Sequence, residues 1–225
     1  MGLVLISYRI YSKRISEYYL SQIESAAQSA KEEILPDMVE NFWKEINTDD
    51  YIKVHDAALA ERDETLIRDW MISRPSRMSI LGNLDFSVDM DSYEDVIDLD
   101  FANENMNLYH DYLILIHALQ ECQRLFFITD AYIQFDKDGV TYNLADPDED
   151  LFYIGTIESP IDAFADCDNN EYFPPTIYHS DFGWLGTTLQ PLDETKDGKI
   201  PGYVGVDINM NLVVRQPFIP ESIHS

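Results

Sequence analysis

Hydrophobic residues return at helical spacing in three stretches of the first half of the chain. In the first, from Ile15 to Ile34, apolar or small residues recur about every 3.6 positions, and Pro36 should kink or end the helix. A second stretch follows the polar segment 47–50, whose short side chains suit a helix N-cap, and Arg74-Pro75 should end it. The third has apolar residues at alternating steps of four and three: Leu108, Tyr112, Leu115, Leu119, Cys122 and Phe126. The pattern therefore predicts three helices before residue 127.

After Phe126 the period changes to the two-residue alternation of half-buried strands. Trp184 to Leu192 alternates apolar and polar residues, and Tyr203 to Met210 is its predicted partner strand. Asp197-Gly198 between them predicts a hairpin turn, because Gly accepts the positive φ that a tight turn requires. A second hairpin is predicted within Asp130 to Leu144, around a second Asp-Gly pair, Asp138-Gly139. We therefore expect an α+β fold with an antiparallel sheet of about five strands and flanking helices.

The chain is strongly acidic and still has enough apolar residues for a core. Its 225 residues include 15 Lys and Arg against 42 Asp and Glu, a formal net charge of −27. Such a surface repels phosphate backbones, which argues against ordinary nucleic-acid binding. Hydrophobic residues make up 45% and aromatic residues 12%, which is typical of a folded domain. Seven acidic residues without a basic one lie in Asp85 to Asp100, as a solvated loop or as a site for a cation or basic partner.

The sequence contains no complete catalytic or metal-binding motif. Asp166-x-Asp168-x-Asn170 opens like a calcium loop, but Glu171 and Ile177 stand where that loop needs Gly and Glu. His179-Ser180-Asp181 has the residue types of a hydrolase triad, yet adjacent residues cannot point at one another as a triad requires. We therefore expect no enzymatic activity, no cofactor and no metal.

Two further groups have ordinary structural interpretations. Asp146, Asp148 and Asp150 alternate at a Pro-containing turn, which is typical of a solvated turn. Cys122 and Cys167 would permit one disulfide, although Cys122 also fits a helix face as a small apolar residue. The second interpretation is preferred for Cys122.

The order of these motifs resembles the Cache family, the extracytoplasmic PAS-like sensor domains of bacterial receptors. Gly183-Trp184, a Pro-containing strand, the Asp197-Gly198 turn and a terminal Gly205-Val206-Asp207-Ile208 carry the resemblance, which covers roughly Arg14 to Met210. It implies a PAS-like sheet with a long N-terminal helix. Residues 1–13 would then be the stub of a membrane helix, 14–216 the sensor domain (helical part 14–125, sheet part 126–210) and 217–225 a tail.

The resemblance also implies a function. The chain would be the extracytoplasmic small-molecule sensing domain of a transmembrane signalling protein at the cell membrane. Its partners would be a small ligand, its own membrane helices and a cytoplasmic output domain, with a homodimer through the N-terminal helix left open. Clostridial diguanylate cyclases with a GGDEF output have similar sensor regions, and a histidine kinase or chemoreceptor output is the other option. The rival hypothesis is an acidic inhibitor that mimics nucleic acid, which the net charge of −27 favours.

Six residues are candidates for ligand contact. By resemblance, the aspartate of the last strand accepts the ammonium group of an amine or amino acid, and nearby aromatic side chains line the site. These candidates are Asp207, Trp184, Tyr178, Tyr142, Tyr132 and Tyr153. Asp207 could instead bond to local backbone at a strand end, and the aromatic residues could belong to the core. Arg124 precedes the sheet, but the motif lacks the Arg that holds a ligand carboxylate in this family.

Overall fold

Helices form the first half of the protein. The computed structural model describes residues 2–76, 107–137, 140–158, 172–180 and 183–211. In these ranges the helices are α1 (Gly2–Glu33), α2 (Pro36–Ile46), α3 (Asp49–Glu61), α4 (Thr65–Ile72) and α5 (Leu108–Phe126). A short 3₁₀ helix follows at Leu151–Tyr153. Across the described part, no helix combines the length and apolar character needed to cross a membrane.

The predicted helices are confirmed in part. α1 is one continuous helix, and it runs through residues 13 and 14, where the boundary between a membrane-helix stub and the sensor domain was expected. It ends at Glu33, before Pro36 begins α2. α5 matches the third predicted helix. The second prediction covered what is in fact α3 and α4, because Arg62 adopts a left-handed conformation (φ 55°) and ends α3. The sequence also did not predict α2 as a helix of its own. The polar segment does cap α3, where Thr48 Oγ1 accepts a hydrogen bond from the Tyr51 N–H at 3.3 Å.

An antiparallel sheet fills the second half. Its strands are β1 (Asp130–Lys137), β2 (Val140–Ala145), β3 (Ile157–Glu158), β4 (Phe173–Ser180), β5 (Gly183–Pro191) and β6 (Tyr203–Asn209). Their order is β3-β2-β1-β6-β5-β4, so the first and last strands are neighbours at the centre. β3 has only two residues, which leaves five main strands. The predicted fold class, an α+β PAS-like sheet of about five strands with a long N-terminal helix and flanking helices, is confirmed.

Both predicted hairpins exist as strand pairs. β1 pairs with β2, although the turn residues Asp138 and Gly139 lie outside the described residues. β5 pairs with β6, but the connection runs from Leu192 to Gly202, and the Asp197-Gly198 turn is only part of it. Within that turn Gly198 has φ 72°, and its N–H donates to the Thr195 carbonyl at 2.8 Å. The turn prediction is therefore right in place and too short in extent.

The helices cover one face of the sheet and form the main core with it. Ile133 of β1 and Val204, Val206 and Ile208 of β6 are buried in this core. α1 packs across β5 and β6, and α5 contacts β1 and α1. Three small buried residues of α1 let α1 and α5 approach closely: Ala26, Ala27 and Ala30.

Cys122 of α5 lies at this helix–helix contact. Its thiol donates to the Ala26 carbonyl at 3.2 Å. Burial raises the pKa of the Cys122 thiol to about 12, and Glu33 adds to the shift. The interpretation of Cys122 as a small buried residue is confirmed. Cys167, the acidic stretch 85–100, the calcium-like segment 166–170 and the tail 217–225 lie outside the described residues.

Candidate functional site

Strand alternation gives the sheet a second face, turned away from the helices. On β1 and β6 the residues between the core positions point to this side, and Tyr132, Leu189 and Tyr203 form a separate buried cluster there. The register places Thr187 of β5 opposite Asp207 of β6, and Asp207 opposite Asp130 of β1. We call this surface the tyrosine face and define it by these residues: Asp130, Tyr132, Tyr178, Thr187, Tyr203 and Asp207.

Asp207 is held on the tyrosine face by a side chain of the neighbouring strand. The Thr187 hydroxyl donates to Asp207 Oδ1, and the Tyr178 hydroxyl lies 3.3 Å from Thr187 Oγ1. Thr187 itself is fully buried. Burial raises the pKa of Asp207 to about 6, against the lowering effect of the Thr187 hydrogen bond. The carboxylate is thus bonded to a side chain on the sheet face rather than to local backbone.

Tyr132 lies flat across the strand beside it. It is the direct cross-strand partner of Gly205, and a methyl group on Gly205 would stand 2.0 Å from Tyr132 Cε2. Only a residue without Cβ lets the ring occupy this position. The ring also lies close enough to Asp207 for the carboxylate to raise the pKa of the Tyr132 phenol, after the larger effect of burial. Gly205 and Asp207 of the motif Gly-Val-Asp-Ile therefore lie on the same face, where Gly205 leaves room for the Tyr132 ring and Asp207 lies beside it.

Three carboxylates gather where β1 begins. One carboxylate oxygen from each of three residues, Asp130, Asp146 and Asp148, lies within 4.8 Å of the other two. Asp146 is 6% exposed, so its interpretation as part of a solvated turn is wrong, whereas Asp148 and Asp150 are exposed as expected. Asp130 Oδ1 is buried without a hydrogen-bond partner. Sequence reasoning missed this group because its members come from separate segments.

Burial and mutual repulsion hold protons on these carboxyls. Burial raises the pKa of Asp130 to about 7, with Asp207 as the next cause, and burial raises the pKa of Asp146 to about 7, with Asp130 next. Like charges on directly opposed strand residues destabilise the pairing. The tyrosine face therefore favours either a proton or a cation beside Asp130 and Asp207.

We expect the free energy of unfolding to fall as the pH rises from about 4 to about 7. The folded protein keeps protons on Asp130 and Asp146 that an unfolded aspartate, with a pKa of 3.8, has already released. Each such carboxyl contributes a slope of up to about 1.4 kcal/mol per pH unit. Urea unfolding at pH 5, 6, 7 and 8 measures the slope. Asp146→Asn should flatten it and the exposed control Asp56→Asn should not; equal slopes in the two variants would contradict the assignment.

The six candidates from the sequence do not share one face. Asp207, Tyr132 and Tyr178 lie together on the tyrosine face. Trp184 packs against the main core on the helix side and meets His179 edge-on at 5.2 Å. Tyr142 also faces the helices, 4.8 Å from the Trp43 ring of α2. These two are core residues in this structure.

Tyr153 lies apart, in the 3₁₀ helix beside α3 and α4. Its carbonyl accepts from the Thr156 hydroxyl at 2.7 Å. Arg124 is likewise remote from a ligand role, because its guanidinium pairs with Glu121 on the exposed side of α5. Ligand binding by any of the six candidates stays a prediction.

Comparison with known proteins gives distant structural likenesses. No protein-family model matches the chain, and no curated protein matches its sequence. The ligand-binding domain of the Campylobacter jejuni chemoreceptor Tlp3 with 4-methylisoleucine is 14% identical over 78% of this chain and 62% of that domain, with a TM-score of 0.31. The same domain with L-valine is 18% identical over 82% and 69%, with a TM-score of 0.31. The chain spans 62% of the first of these domains, and at such TM-scores the likeness supports no statement about this chain's ligand.

Proposed function

We propose that this chain is the extracytoplasmic ligand-sensing domain of a bacterial transmembrane signalling protein, and that its ligand is a small cationic amine bound on the tyrosine face. One observation carries the proposal. Asp130 and Asp207 face each other in a mostly buried position, and within the described ranges no Lys, Arg or His pairs with either carboxylate. Two desolvated carboxylates without a cation are unstable unless protons or a bound cation neutralise them.

An ammonium group fits the chemistry of this position. It would form charge-assisted hydrogen bonds with the carboxylates, which are roughly twice as strong as neutral ones. The rings of Tyr132 and Tyr178 add aromatic surface, to which cations are attracted. Ligand sites commonly combine such apolar or aromatic walls with a few placed polar groups. The tyrosine face has this composition.

A simple amine fits better than an amino acid. An amino acid also needs a basic group for its carboxylate, and Arg124 is engaged with Glu121 on the other side of α5. A ligand carboxylate on the tyrosine face would instead meet Asp130 and Asp207, which repel it. Amines and diamines avoid this repulsion.

Strand β5 gives a physical route from the ligand to α1. Thr187 faces the proposed ligand, while the preceding residue Gly186 faces α1, where an added methyl group would stand 3.7 Å from Ile23 Cδ1. A ligand with unequal affinity for two positions of β5 would therefore shift the population of α1 positions. α1 would pass this shift to membrane helices and through them to a cytoplasmic output module. We propose that this output is a diguanylate cyclase with a GGDEF module, or else a histidine kinase or chemoreceptor module. The exposed Tyr11 and Tyr18 of α1 are available for a homodimer contact.

Asp207→Asn should weaken amine binding about tenfold or more, because a hydrogen bond to a charged group contributes about 1.5–3 kcal/mol. The probes are putrescine and ethanolamine as amines, isoleucine as an amino acid, acetate as an organic acid and calcium chloride as a metal salt. Thermal shift selects the amine that stabilises the unchanged protein most, and isothermal titration calorimetry then measures its Kd for both proteins.

Asp56→Asn is the control, because Asp56 is an exposed carboxylate of α3 and does not belong to the tyrosine face or to the carboxylate group at the start of β1. Its effect on Kd should stay within about twofold, as for most surface substitutions. Stabilisation by acetate or calcium without any by the amines would refute the cationic-amine assignment. Equal amine affinity in Asp207→Asn would refute the site.

A further inference from the structure

Thr187 is the only described side chain shown to bond to the Asp207 carboxylate. Its hydroxyl donates to Asp207 Oδ1, from a fully buried position at the middle of β5. β5 lies between β4 and β6, so Thr187 stands between Tyr178 on one side and Asp207 on the other. The Tyr178 phenol oxygen lies 3.3 Å from Thr187 Oγ1 on the side away from Asp207.

We infer that Thr187 is a positioning residue, which fixes the Asp207 side chain through Oδ1 and leaves Oδ2 to receive the ligand's ammonium group. The inference rests on the proposed function for its ligand, while the contact itself is a property of the free protein. Thr is suited to this task because its branched Cβ restricts χ1 in a strand, so the hydroxyl is aimed before any ligand arrives. Pre-organised contacts of this kind reduce the entropy lost on binding.

The hydrogen bond also favours the ionised form of Asp207. Burial and the carboxyls at the start of β1 oppose ionisation, and the Thr187 hydroxyl is the group that counters them. Charged and titratable groups near Asp207 come from several elements. Asp130 and Tyr132 of β1, Asp146 after β2 and Tyr178 of β4 interact with Asp207 itself. Asp148 and Glu149 lie near Asp130 and Asp146, and Tyr203 lies near Tyr132. All of these are acids or phenols.

The test is a carboxyl ¹³C NMR titration of Asp207 in the ligand-free protein. Thr187→Val keeps the shape and removes the hydroxyl, so the titration midpoint of Asp207 should rise by about half a pH unit or more. Thr187→Ser restores the hydroxyl and should restore the midpoint. The inference is overturned if the Asp207 midpoint is unchanged in Thr187→Val. It is also overturned if the midpoint in Thr187→Ser is raised as much as in Thr187→Val.

Thr188→Val is the matched control. Thr188 is equally buried, but its hydroxyl donates to the Phe173 carbonyl at 2.7 Å and makes no bond to a carboxylate. Its removal should leave the Asp207 midpoint where it is. A general effect of losing a buried hydroxyl would instead move the midpoint in both Val variants and would count against the inference.

A second measurement on the unchanged protein covers the case in which Thr187→Val fails to fold. The hydroxyl proton of Thr187 should exchange slowly with water and couple to the Asp207 carboxyl carbon; fast exchange without coupling would overturn the inference. Failure of the proposed function is distinguishable from these results. If no amine binds while the Thr187 variants behave as described, the positioning contact stands and the ligand assignment falls.

Discussion

Replacing Gly205 with alanine should destabilise the protein by about 1–3 kcal/mol or more, the range for overpacking a tight contact. The added methyl group would stand 2.0 Å from Cε2 and 2.3 Å from Cζ of Tyr132, so the ring must leave its position. Backbone strain does not explain the expected loss, since Gly205 lies in a regular strand and is not among the glycines with positive φ. Urea unfolding measures the change.

A double-mutant cycle identifies the ring as the cause. Tyr132→Ala removes the obstacle, so Gly205→Ala should cost much less in that background than in the unchanged protein. The two residues are direct cross-strand partners, which is where such coupling is strongest. If the Gly205→Ala penalty is the same in both backgrounds, the Tyr132 ring does not rest on this glycine in solution.

Phe42→Ala should lower the free energy of unfolding by about 3–5 kcal/mol, the cost of a large cavity in a core. Phe42 of α2 is fully buried and stacks on Tyr112 of α5, with ring centroids 5.9 Å apart. The substitution removes this stacking and leaves a void between the two helices. Chemical denaturation followed by circular dichroism gives the loss.

Phe127→Ala is the control of the same chemistry. Phe127 is 88% exposed, so truncating it removes almost no buried surface, and the change should stay within about 0.5 kcal/mol. Similar losses at the two positions would show that α2 does not pack as described.

The sequence predicted those elements whose cause is local. Apolar periodicity located α5, and Pro36 marked the boundary between α1 and α2, because a proline has no N–H to donate inside a helix. The break between α3 and α4 was not predictable in this way. It depends on Arg62 in the left-handed conformation, which a non-glycine residue adopts rarely and without a sequence signature.

The face on which Trp184 lies was not predictable from the sequence, and one residue of register explains why. A two-residue turn at Asp197-Gly198 would pair Thr188 with Asp207 and would place Trp184 on the same face as Asp207. In the longer connection Thr187 is the partner, so every side chain of β5 changes face. Trp184 thereby becomes a core residue, and Thr187 reaches the carboxylate.

The group at the start of β1 was beyond sequence reasoning for a different reason. Asp130 and Asp207 meet because β1 and β6 are central neighbours, and Asp146 joins them from the turn after β2. No spacing rule connects such distant positions. The alternation of a single strand, by contrast, is enough to put Gly205 and Asp207 on one face.

The two borders of the sheet also bear on how the protein behaves at high concentration. An unpaired strand with free N–H and C=O groups is a template for joining another molecule, which leads to aggregation. Here β3 offers only two residues, and β4 contains Pro174 and Pro175, which have no N–H, beside a register irregularity between Phe173 and Thr176. Among the described strands, neither border offers a long regular edge, which disfavours edge-to-edge pairing into an intermolecular sheet.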